Sequence, residues 1–66
     1  MLQSLICPNT ISFNEFKRWL FIHSYIPIKP IHITAKYYHA RLANPIKNHR
    51  YYSKILPNGI IMIFEE

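Results

Sequence analysis

The chain has 66 residues, half of them apolar and ten of them aromatic, with eight Lys and Arg against three acids for a net charge of +5. That length allows one domain, read as residues 1–66, and the single Cys7 excludes an internal disulfide. The acids are only Glu15, Glu65 and Glu66, so a carboxylate pair for acid–base work or the acid of a nucleophile triad has few sources.

Residues 1–10 carry Leu2, Leu5 and Ile6 ahead of a Cys7-Pro8-Asn9-Thr10 turn, and suit either a short strand or a segment packed over the core. They lack a basic segment followed by a continuous apolar run, so no targeting signal is read and a cytoplasmic location with no membrane partner is the expectation. Next comes the strongest local signal. Ser12 with Glu15 three residues on has capping-box spacing, and Ile11 with Phe16 can form a hydrophobic staple. A first helix is predicted from Phe13 to about Ser24. Phe13, Phe16, Leu20 and either Trp19 or His23 face inward, while Asn14, Lys17 and Arg18 face water. Pro27 ends it.

Tyr25 to Ile33 reads YIPIKPIHI. Two prolines exclude a regular helix and a central strand, which predicts an extended connector pinned to the core by Ile26, Ile28, Ile31 and Ile33. Thr34 then serves as N-cap for a second predicted helix from about Ala35 to Ala43, closed by Asn44-Pro45. Ala35, Tyr38 and Leu42 form its apolar face. Lys36, Tyr37, Ala40, Arg41 and Asn44 form the opposite one. Beyond a short loop, Pro57-Asn58-Gly59 between β-prone runs predicts a hairpin, with strands about Arg50 to Leu56 and Ile60 to Phe64. The second of these is apolar on both faces, which suits a central strand or a paired interface.

All eight basic residues fall between Lys17 and Lys54 with no acid among them. Such a field attracts phosphate backbones or anionic surfaces. Element order and charge together predict an α+β fold: a small winged-helix-like domain with two helices packed on a C-terminal β-hairpin. Its second helix would read duplex DNA in the major groove and its hairpin would act as the wing. The residues assigned to nucleic acid are Lys36, Tyr37, Arg41, Asn44, Lys47, Arg50, Lys54 and Asn58.

Ile11-Ser12-Phe13-Asn14-Glu15-Phe16 resembles the start of the first helix in phage-type excisionases and MerR-like winged helices. The resemblance implies that Thr34 to Arg41 is the DNA-reading helix and Arg50 to Phe64 the wing. It further implies a non-enzymatic accessory DNA-binding protein of a mobile element. The chain departs from that pattern in its proline-containing connector and in having Lys36-Tyr37-Tyr38 at the centre of the second helix.

Two alternatives stand beside this reading. One is a small protein that binds and inhibits a host protein, using exposed aromatics such as Trp19, Phe21 and Tyr25. A homodimer or partner contact through strand Ile60–Phe64 belongs with it. The other is an RNase-type toxin that draws together His39, Arg41, His49 and Tyr51. His23, His32, His39 and His49 lack metal-ligand spacing, and Gly59 is the only glycine, so no metal site, phosphate loop or cofactor is expected.

Overall fold

The computed structural model describes residues 1–44 and 50–66. Its element order is β1 (Leu2–Pro8), α1 (Phe13–Ile22), β2 (His32–Ile33), β3 (Tyr37–Arg41), β4 (Tyr51–Ile55) and β5 (Ile61–Glu65). The strands form one antiparallel sheet in the order β2-β3-β1-β5-β4. The first residues are therefore the centre of the sheet. Their alternation is hidden by a register shift between Leu2 and Ser4, which leaves Gln3 as an extra residue in a bulge. The bulge is well satisfied. The Gln3 carbonyl accepts from the Leu42 and Ala43 N–H groups, and its side-chain amide donates to the Ala43 carbonyl at 3.0 Å.

Helix α1 forms where the capping signal places it. The Ser12 hydroxyl accepts from the Glu15 N–H at 3.1 Å, and Phe16 and Leu20 are buried. Ile11 packs against the cluster that holds Phe16, as the staple requires. The helix stops at Ile22, before Pro27 can act. Ser24 adopts a left-handed φ of 59°. The Tyr25 N–H then bonds the Leu20 carbonyl at 2.9 Å, and the Ser24 N–H bonds that of Phe21 at 3.1 Å. These are the two bonds of a Schellman cap. Phe13 and Trp19 are half-buried, but His23 is exposed and its Nδ1 lies 2.8 Å from the Trp19 carbonyl oxygen.

The second helix does not exist. Residues 37–41 form β3, so the two-helix winged-helix reading is replaced, among the described residues, by a five-stranded sheet covered by one helix. The physical reason is a period of two. Tyr38 and Ala40 point to the helix side, paired with Cys7 and Leu5, while Tyr37, His39 and Arg41 point away. Thr34 forms a hairpin turn instead of capping a helix. Its hydroxyl bonds both the Tyr37 N–H and the Tyr37 carbonyl at 3.0 Å, and its N–H bonds the same carbonyl at 2.8 Å. Asn9 pins this turn from outside through bonds to the Ala35 and Lys36 carbonyls.

The connector is extended, as expected, but it is not held by all its isoleucines. Ile31 packs against the core, whereas Ile26, Ile28 and Ile33 are exposed. The backbone does part of the anchoring, because the Ile28 N–H bonds the Arg41 carbonyl. The Pro57-Asn58-Gly59 hairpin is present. The Gly59 N–H bonds the Leu56 carbonyl, the Leu56 N–H bonds that of Ile60, and the Asn58 side-chain oxygen accepts from the Ile60 N–H. Gly59 holds a φ of 93°. Strand β5 is interior, bonded to β1 on one side and β4 on the other. Its two apolar faces follow from that position. It has no open edge for strand addition, so a partner contact through Ile60–Phe64 would have to use a face.

Leu5, Cys7, Phe16, Leu20, Ala40 and Ile60 make the buried core between α1 and one face of the sheet. Tyr38 closes its side by ring contacts with Phe13 and Phe16. Among the described residues, no helix is long and apolar enough to cross a membrane.

Candidate nucleic-acid interface

Because α1 takes one face of the sheet, the polar side chains of the strands collect on the other. Strand β3 presents Tyr37, His39 and Arg41 at alternate positions. Strand β2 places His32 directly opposite His39. Strands β1 and β5 add the half-buried Ile6, Ile61 and Ile63, and β4 adds Tyr51, Ser53 and Ile55. No described helix or strand lies over this face.

Its electrostatics are asymmetric. At the β2–β3 side, the His39 pKa is lowered from the usual 6.5, first by burial of the ring and then by the charges of Arg41, His32 and Lys29. A neutral His39 therefore sits inside a cationic cluster at neutral pH. Among the described residues, His39 Nε2 and Arg41 Nε are buried without a hydrogen-bond partner. An unmet buried polar group of this kind costs about 1–3 kcal/mol. An anionic acceptor would satisfy the Arg41 N–H and favour the protonated, donating form of His39. At the far side, the Tyr51 hydroxyl donates to Glu65 at 2.9 Å, so the one acid of this face lies on β5 beside β4.

The predicted contact residues divide accordingly. Tyr37 and Arg41 are together on β3, and Lys36 is exposed in the adjoining turn. Asn44 is exposed beyond β3, and Arg50 is exposed just before β4. Lys54 lies on the helix-side face of β4, opposite Met62, so it does not join the β3 set. Asn58 spends its side-chain oxygen on the hairpin turn. Lys47 lies outside the described residues, as does His49. The set had omitted Lys29, His32 and His39. Their signal was the alternation Tyr37-His39-Arg41, visible only once the segment is read as a strand.

Of the residues named for a toxin site, His39 and Arg41 share one face of β3 and His49 lies outside the described residues. Tyr51 is on β4 and His39 on β3, with β1 and β5 between them, a separation of about 14 Å at roughly 4.8 Å per strand. Among the described residues, no group of three His, Cys, Asp or Glu side chains is placed to hold a metal ion.

A second surface feature lies at the end of α1. A groove of about 540 Å³ runs between the helix and the connector, lined by Lys17, Leu20, Phe21, Tyr25, Ile26 and Ile31 among others. Phe21 is 84% exposed and Ile26 81%. None of the groove's lining residues belongs to the β3 face. Comparison with protein-family models, curated proteins and solved structures finds no match for this chain. The winged-helix architecture implied by the Ile11–Phe16 resemblance is absent from the fold.

Proposed function

We propose that this protein is a non-enzymatic nucleic-acid-binding module that takes a single strand across the sheet face opposite α1. The observation that supports this is the placement of Tyr37, His39 and Arg41 on one face of β3, with His32 facing His39 across β2. A phenol ring offers a stacking surface to any base, and flanking cations track the phosphates. The reader-helix mode first expected for duplex DNA has no helix to carry it. A sheet face with no described element over it suits unpaired bases, which can lie against it.

The test is fluorescence anisotropy with labelled mixed-sequence oligonucleotides, single-stranded against duplex. Three phosphate contacts, from Lys29, Lys36 and Arg41, give an expected log K against log salt slope of about −2, at about −0.7 per contact on single strands. Tyr37→Ala is expected to weaken binding by about 1–3 kcal/mol, the usual worth of one stacked base. Affinity rises on acidification through the lowered pKa of His39, because protonation adds charge beside the bound strand, and His39→Gln flattens that rise. Equal affinity of wild type, Tyr37→Ala and Arg41→Ala would remove the β3 face from the reading.

A further inference from the structure

We infer that β4 is a self-association edge, at which a second copy of this chain pairs antiparallel to make a continuous ten-stranded sheet. The inference rests on the edge itself and is independent of the nucleic-acid reading. Strand β4 ends the sheet order and is bonded only to β5 among the described strands. All five of its residues are exposed. An edge of this length displays backbone donors and acceptors that another strand can match.

The hairpin bonds fix which groups point outward. The Leu56 N–H reaches the Ile60 carbonyl, and the Arg50 carbonyl receives the Glu66 N–H. Residues of that parity, including Tyr52 and Lys54, turn their backbone groups toward β5. Ser53 and Ile55 turn theirs to the open edge.

A two-fold axis normal to the sheet is the symmetry that pairs an edge strand with its own copy. It allows only registers centred on a residue. Centring on Lys54 places Lys54 against Lys54. Centring on Tyr52 places Lys54 against Arg50. Like charges directly opposite destabilise both. Centring on Ser53 places the small Ser53 against Ser53, with their outward N–H and C=O groups exchanging two bonds. It also sets Lys54 against Tyr52, where a cation meets an aromatic ring, and Ile55 against Tyr51. Of the registers centred on Tyr52, Ser53 and Lys54, the Ser53 register alone sets no like charges opposite each other. Each copy carries a charge of +5, so pairing strengthens as salt screens the repulsion. The same axis keeps both β3 cation sets on one face.

Sedimentation equilibrium from low micromolar to millimolar protein, at low and high salt, tests this together with amide hydrogen exchange. The expected result is a reversible shift from 7.9 kDa toward twice that mass. The Ser53 and Ile55 amides gain protection with concentration, while those of Tyr52 and Lys54 are protected throughout. Ser53→Pro removes an outward N–H that β5 does not use, and is expected to leave a folded monomer. Ser53→Lys places two ammonium groups face to face, and its dimerisation is expected to return only at high salt. A wild-type monomer at all concentrations overturns the inference. So do species larger than a dimer, or a dimer whose Ser53 and Ile55 amides gain no protection. A Ser53→Pro protein that is folded and still dimeric overturns it as well.

Discussion

Gly59 sets the register of the β4–β5 hairpin, and its replacement by alanine gives a sharp test of the fold. Its φ of 93° lies where an L-residue brings Cβ against its own backbone, which costs about 1–2 kcal/mol. A Cβ added there would also stand 3.2 Å from Cγ of Pro8, so the β1 end of the sheet must give by some tenths of an ångström. Alanine restricts the unfolded chain, which offsets about 0.4–1 kcal/mol of this. A net loss of about 1–2 kcal/mol remains, from a total that for a chain this short is about 3–5 kcal/mol. Urea unfolding followed by circular dichroism reads it directly. With m near 1 kcal/mol per molar, the midpoint falls by about 1–2 M. Gly59→Asn separates the two causes, because Asn tolerates the left-handed region but meets Pro8 in the same way. It is expected to lie between wild type and alanine. An alanine variant as stable as wild type would refute the turn geometry. The side-chain alternation of β4 would fall with it, since a slip of one residue moves Tyr51, Ser53 and Ile55 to the other face.

Ser24 holds the left-handed position of the helix cap without being glycine, so Ser24→Gly is expected to stabilise the chain by about 0.5–1 kcal/mol and to raise Tm by about 2–8 °C. Unchanged or lowered Tm would argue against that cap. Burial pushes the Cys7 thiol up from 9.0 to about 11. The unfolded thiol ionises first, so this group's contribution to stability falls as pH rises from 9.0 toward about 11. Comparison with Cys7→Ala over that range isolates the slope. At pH 8 a thiol reagent is expected to label Cys7 only as fast as the core opens, and immediate full labelling of native protein would contradict its burial.

The elements that were legible in the sequence are those with local chemistry. Ser12 and Glu15 specify α1 within one turn of chain, and Pro57-Asn58-Gly59 specifies the hairpin within three residues. Strand β3 was misread because Tyr38 and Leu42 are four apart, a spacing that a helix face and a strand face both satisfy. Thr34 added to the error, since a Thr hydroxyl caps a helix or closes a turn with the same short reach. Strand β1 was obscured by the bulge at Gln3, which breaks alternation where it would have been diagnostic. Part of the site survived the change of fold. Tyr37 and Arg41 are also four apart, so they share a face in either structure. Lys36 and Lys54 carried no such protection, and one ended in a turn and the other on the helix side.

The central place of β1 has a kinetic meaning. Leu2 pairs with Phe64, 62 positions later (64 − 2), and closing a loop of that size costs roughly 4 kcal/mol of chain entropy before any contact repays it. The helix and the two hairpins, β2–β3 and β4–β5, are local, whereas β1 must pair with β3 across the helix and the connector and with β5 across nearly the whole described chain. These long-range pairings raise the contact order, and folding is expected to be slower than the chain's length alone would suggest. Until β1 is in place, β3 and β5 each show an edge that it fills in the finished sheet, and a chain in that state is open to wrong strand pairing.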